Sequence, residues 1–109
     1  MARTYKVLGQ TNPLTGVLTT AYTVPAATQV VVSSIVISDR GGSAATFRVS
    51  VAIAGAADAV KQYIAYNAPI AANDVVPLVI GATLGPADVI RVYGSVETLA
   101  FSIFGEEIT

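Results

Sequence analysis

Chemistry in this chain falls to a short set of side chains: seven carboxylates, six cations and five tyrosines, with no histidine or cysteine among 109 residues. A nucleophilic triad therefore lacks its usual base, and soft or imidazole metal ligands are missing. No motif sets a serine beside Lys6 or Lys61, the only lysines available for a Ser–Lys pair. Glu106 and Glu107 are adjacent, so on a strand they point to opposite faces. They do not form the facing pair that glycoside hydrolysis uses, and this close to the C-terminus they read as solvated charge. Asp58, Asp74 and Asp88 offer the oxygen ligands that calcium prefers, but their spacing is not that of an EF-hand loop. Each precedes an apolar β-forming run, where an aspartate accepts backbone amides and stabilises a turn. Gly41-Gly42 has no following helix to cradle a phosphate. The expectation is a chain without catalytic residues, cofactor or metal, and not an enzyme.

Charge is sparse. Only 12% of residues are charged and the net charge is −1, against about 25% charged in an ordinary soluble domain. Residues 7–38 carry no charge at all. No basic patch exists to neutralise phosphates, so nucleic acid is not an expected partner. Nor is membrane insertion: the uncharged stretch is broken by polar residues, and a span needs roughly twenty mainly apolar ones. The N-terminal residues have positive charge but no apolar run behind them, so a signal peptide is not expected. Hydrophobic residues nevertheless make up 53%, more than one small core absorbs. That excess predicts a subunit packing against neighbours through sheet faces or edges, with a homotrimer as the expected form.

The elements follow from periodicity. Phe47, Val49, Val51 and Ile53 alternate with smaller or polar residues, the pattern of a strand with one buried face. Leu99, Phe101 and Ile103 repeat it near the C-terminus. These seven are the core and assembly candidates. Residues 89–93 are β-rich, and the short link 94–98 predicts a hairpin with the last strand. Residues 30–39 form a β-branched run with neither face clearly polar, which suits a central strand buried on one side and packed by a partner on the other. Residues 5–8, 61–66 and 75–80 complete the strands. Lys61 opens its strand, and Pro77 puts its own at an edge or a bulge. Gly55 to Val60 has room for one helical turn. Turn residues punctuate at short intervals and no helical period is sustained. The expected fold is all-β: a single antiparallel sandwich over residues 1–109, jelly-roll or immunoglobulin-like, with seven to eight strands. Tyr5, Tyr22, Tyr63, Tyr66 and Tyr93 serve such a fold as core-rim residues, or stack on sugars if they share an outer face.

Tyr22-Thr23-Val24-Pro25-Ala26-Ala27-Thr28, followed by Val32-Ser33-Ser34-Ile35-Val36-Ile37, begins a resemblance that runs nearly the whole chain. It continues through Arg40-Gly41, residues 45–51, Gln62-Tyr63-Ile64-Ala65-Tyr66, Asp88-Val89-Ile90-Arg91-Val92-Tyr93 and Phe104-Gly105-Glu106-Glu107. In this order the motifs resemble small β-sandwich virion proteins of tailed bacteriophages, especially those of cyanophages and other aquatic phages. Asp39 stands where relatives often have Asn before Arg-Gly, and a tight turn accepts either. The resemblance carries over no functional site residues. It implies a multicopy structural part of a phage particle, assembled in the host cytoplasm and partnered by itself and by other virion proteins. A tail, fibre or baseplate role is the first expectation and a capsid decoration protein the alternative. A carbohydrate-binding module touching host-surface glycan is a third.

Overall fold

The computed structural model describes residues 2–109, and among them every long element is a strand. In chain order these are β1 (Arg3–Thr11), β2 (Thr19–Thr23), β3 (Gln29–Asp39), β4 (Ala45–Ala52), β5 (Tyr63–Ile70), β6 (Val75–Leu84), β7 (Val89–Gly94) and β8 (Leu99–Ile108). They form two four-stranded sheets, β1-β8-β3-β6 and β2-β7-β4-β5, and every pairing is antiparallel. First pairs with last, second with seventh, third with sixth and fourth with fifth. A long double-stranded ribbon rolled up on itself gives this order, which is jelly-roll wiring and not the immunoglobulin arrangement.

The core lies between the sheets. Phe47, Val49 and Val92 face Ile35, Ile37, Leu99, Phe101 and Ile103, all at most 1% exposed. Phe47 and Phe101 meet edge-on with ring centres 6.4 Å apart, a geometry that adds to the gain from burial. β3 is central in its sheet, between β8 and β6. β6 is an edge strand; Pro77 pairs there with Val36 and interrupts no inner ladder.

Four expectations are corrected. Ile53 is not inward: it is 76% exposed, because β4 ends at Ala52 and the chain turns into a 3-10 segment, Ile53–Gly55. Val51 is only partly buried, at the rim of the core. Lys61 opens no strand, since it lies in a second 3-10 turn, Val60–Gln62, before β5. β7 and β8 are not a hairpin; they belong to opposite sheets and link 94–98 crosses the end of the sandwich. Both strands turn their apolar face into the core, β7 from one sheet and β8 from the other. Gly94 makes the corner: a Cβ there would lie 3.1 Å from both Leu99 Cδ1 and the Val96 carbonyl. The eighth strand, β2, was not among the sequence candidates, for its five residues Thr-Thr-Ala-Tyr-Thr include three threonines and little apolar pattern.

Candidate functional site

The sequence-derived core set divides cleanly. Phe47, Val49, Leu99, Phe101 and Ile103 are enclosed between the sheets, so they shape the fold and touch nothing outside it. The two outer sheet faces differ in chemistry, and further large apolar side chains are exposed off both of them, at Leu14, Val17, Ile53 and Val60.

On the outer face of β1-β8-β3-β6, alternation sets the residues. Ala100, Ser102 and Phe104 alternate with the buried Leu99, Phe101 and Ile103; Ser34, Val36 and Ser38 alternate with Ile35, Ile37 and Asp39. Val75, Pro77 and Val79 continue the face on β6, and Tyr5 and Val7 on β1. None of these is charged. Tyr5 is 76% exposed and Val79 82%, while Val7 and Val75 are also open to solvent. Towards one end the face dips into a groove of about 490 Å³ whose lining includes Tyr5, Val7, Val31 and Phe104 and the charged Lys6 and Glu106. The Glu106 Oε2 atom is shielded from solvent and finds no hydrogen-bond partner among the described residues. A shielded polar atom left without a partner is costly.

Glu107 points the other way, as adjacent strand positions must. The reading of both glutamates as solvated terminal charge is corrected here. Glu107 accepts a hydrogen bond of 2.6 Å from the Tyr22 hydroxyl in the opposite sheet and pairs with Lys6 at 3.0 Å. The Tyr22 bond, then Lys6, holds its carboxyl below the usual carboxylate range. Burial, reinforced by Glu107, pushes the Tyr22 phenol up. A carboxyl whose folded value is depressed stabilises above its unfolded value of about 4.3 and loses that contribution as pH falls through the folded value. The raised phenol works in the opposite sense, and its contribution fades above pH ~10. Tyr22→Phe is therefore expected to lower stability by about 1.5–3 kcal/mol, the worth of a hydrogen bond to a charged group. It should also flatten the acid limb of a melting-temperature profile; an unchanged profile would show that the Tyr22–Glu107 bond is not formed.

The outer face of the second sheet carries polar chemistry. The Arg48 guanidinium lies between the Tyr66 and Tyr93 rings, 4.3 and 4.2 Å from their centres, and its Nε donates to Asn67 Oδ1 at 2.7 Å. Tyr63 packs edge-on against Tyr66 with ring centres 5.0 Å apart. Burial raises the Tyr63 phenol, and Asp58 beside it acts in the same direction. Arg91 donates to the Ala56 and Gly55 carbonyls and pins residues 53–62 across this sheet. The sequence singled out the tyrosines, but it could not show that three of them gather around one arginine.

Asp74 and Asp88 serve turns, as expected, and Asp58 does not. Asp74 caps the Val75 amide at 2.8 Å; Asp88 accepts from Ala54 and Gly85 amides, both at 2.9 Å. Asp58 feeds no strand and lies exposed in the loop before β5. Among the described residues no three His, Cys, Asp or Glu side chains gather as a metal site would require. Asp39, 3% exposed, braces the turn after β3 by accepting from the Gly41 amide and the Thr98 hydroxyl.

The class of protein defined here is an eight-stranded β-sandwich with one largely apolar outer face and one arginine–tyrosine face. No family model matches the chain, and no curated protein is significantly similar to it. Among the described residues no helix is long and apolar enough to cross a membrane.

Proposed function

We propose that this chain is a non-enzymatic, multicopy structural subunit of a tailed-phage virion, associated with the tail, tail fibre or baseplate. The observation that carries the assembly part is the largely apolar outer face of β1-β8-β3-β6, where Tyr5, Val7, Val75 and Val79 are open to solvent. Contiguous exposed apolar patches mark interaction sites. The phage assignment rests on the order of the motifs between Tyr22 and Glu107. Jelly rolls serve viral capsid and lectin domains alike, an analogy that fits more than one role. Capsid decoration is the alternative location for the same subunit. Quantitative gels of purified particles separate the two: copies in the tens indicate a tail part, and copies in the hundreds a decoration protein.

The Arg48–Tyr66–Tyr93 cluster favours a second reading, a module that contacts host-surface glycan. Aromatic rings on an open sheet face can stack on sugar rings, and a guanidinium can hold their hydroxyls or carboxylates. Under the first reading the stack only knits β4, β5 and β7 together, and the isolated protein binds no glycan. Binding in a glycan array that disappears in both Tyr66→Ala and Arg48→Ser would establish the second.

A further inference from the structure

We infer that the Arg48 cluster on the outer face of β2-β7-β4-β5 binds a sugar ring bearing a single carboxylate, of the uronate or sialic-acid kind, in preference to a neutral sugar. This inference rests on the glycan-contact reading and names its ligand class. The strands are shaped around Arg48. Phe47 pairs with Ala68 and Val49 with Ala65, so Tyr66 and Asn67 together face the one residue Arg48. A bulge of this kind re-aims side chains, and Asn67 takes the left-handed backbone it requires, with φ 51°, which asparagine tolerates. From the other side Arg48 pairs with Tyr93 of β7. The guanidinium plane is thus set by two rings and by the 2.7 Å bond from Nε to Asn67 Oδ1.

The groups left over define the ligand. Arg48 has no carboxylate partner, for the one ion pair among the described residues joins Lys6 to Glu107. Its bond to Asn67 uses Nε and lies at the surface, and neither Nη atom is sealed away without a partner. The remaining two-nitrogen edge matches the plane of a carboxylate. Three neighbours say what that carboxylate belongs to. Tyr66 is 57% exposed and offers ring surface to a sugar. Asn67 spends its carbonyl oxygen on Arg48 and keeps its amide donors. Asp58, which acts with Arg48 on the Tyr63 phenol, accepts from hydroxyls and repels further negative charge. A phosphate dianion or a run of acidic side chains meets that repulsion and leaves the ring unused. A singly charged, hydroxylated ring uses every group.

The test is an array of matched neutral, uronate-bearing, sialic-acid-bearing and sulfated oligosaccharides, with an oligoglutamate peptide beside them, probed with the purified full chain. Carboxylate-bearing sugars should bind roughly tenfold or more tightly than their neutral counterparts and their own methyl esters, as a charge-assisted bond allows. The esters remove the charge without touching the protein, so the test stands even where a variant folds poorly. Arg48→Lys keeps the charge and loses the fork, and should lose most of the preference while melting near wild type. Tyr66→Ala should weaken charged and neutral sugars alike. Val79→Ser, on the opposite sheet, serves as the control and should change nothing. Equal binding of neutral sugars or esters sinks this inference and leaves the glycan reading standing; binding to no glycan sinks both. Binding of the sulfated sugars or the peptide as tightly as the uronates, or a preference that survives Arg48→Lys, also overturns the inference.

Discussion

Val49→Asp is expected to leave the chain unfolded. Val49 is 0% exposed in the middle of β4, paired with Ala65 of β5 on one side and Val92 of β7 on the other. An unpaired carboxylate enclosed there costs several kcal/mol or forces its own protonation, against a total stability of about 5–15 kcal/mol for a domain. The same substitution should be graded along the strand. At half-buried Val51 the carboxylate can turn towards water and the loss should be partial; at Ile53, 76% exposed, it should be tolerated. Thermal melts followed by circular dichroism read all three. A cooperative melt near the wild-type temperature for Val49→Asp would mean that β4 does not face the core as described.

Gly105→Val should be the second severe change. Gly105 lies in β8 opposite Val32, where the β3 register shifts between Val32 and Ser34. A Cβ at this position would run into the Val31 carbonyl and come within 3.1 Å of Leu8 Cδ1. Glycine inside a strand commonly marks such a close backbone approach beside a bulge. Side chains can step aside, but a carbonyl in a central ladder cannot do so without breaking hydrogen bonds. The loss should therefore reach or exceed the roughly 1–3 kcal/mol usual for overpacking. Gly42→Val provides the contrast, since a Cβ there meets nothing within 4 Å. Equal melting temperatures for the two variants would contradict the packing of β8 on β3.

Much of the fold is legible in the sequence because strand burial imposes a period of two. Phe47 and Val49, and Leu99, Phe101 and Ile103, follow that period and lie inside. Where the period breaks, the cause is local. Ile53 continues the alternation one step past the end of β4, and periodicity cannot see a strand stop. The supposed β7–β8 hairpin failed because a five-residue link can join neighbours or cross between sheets, and loop length alone does not distinguish them. β2 is held by its pairing with β7, a long-range contact with little local signature. The site was less legible. Low charge led to the expectation of a covered surface without pointing to one; the jelly-roll order sets Tyr5, Val36, Val79 and Phe104 on one face. Glu107 looked like a solvated end because nothing local reveals that Tyr22, 85 residues away in the chain, reaches it across the sandwich.

As proposed, this chain is a building part of a phage particle, covered on the largely apolar outer face of β1-β8-β3-β6. The most direct measurement is an electron-microscopy map of the particle whose genome encodes the chain, with its density located. Several copies are expected in the tail region, each with the outer face of β1-β8-β3-β6 against protein. A particle lacking the chain, or copies with that face bare to solvent, would contradict it.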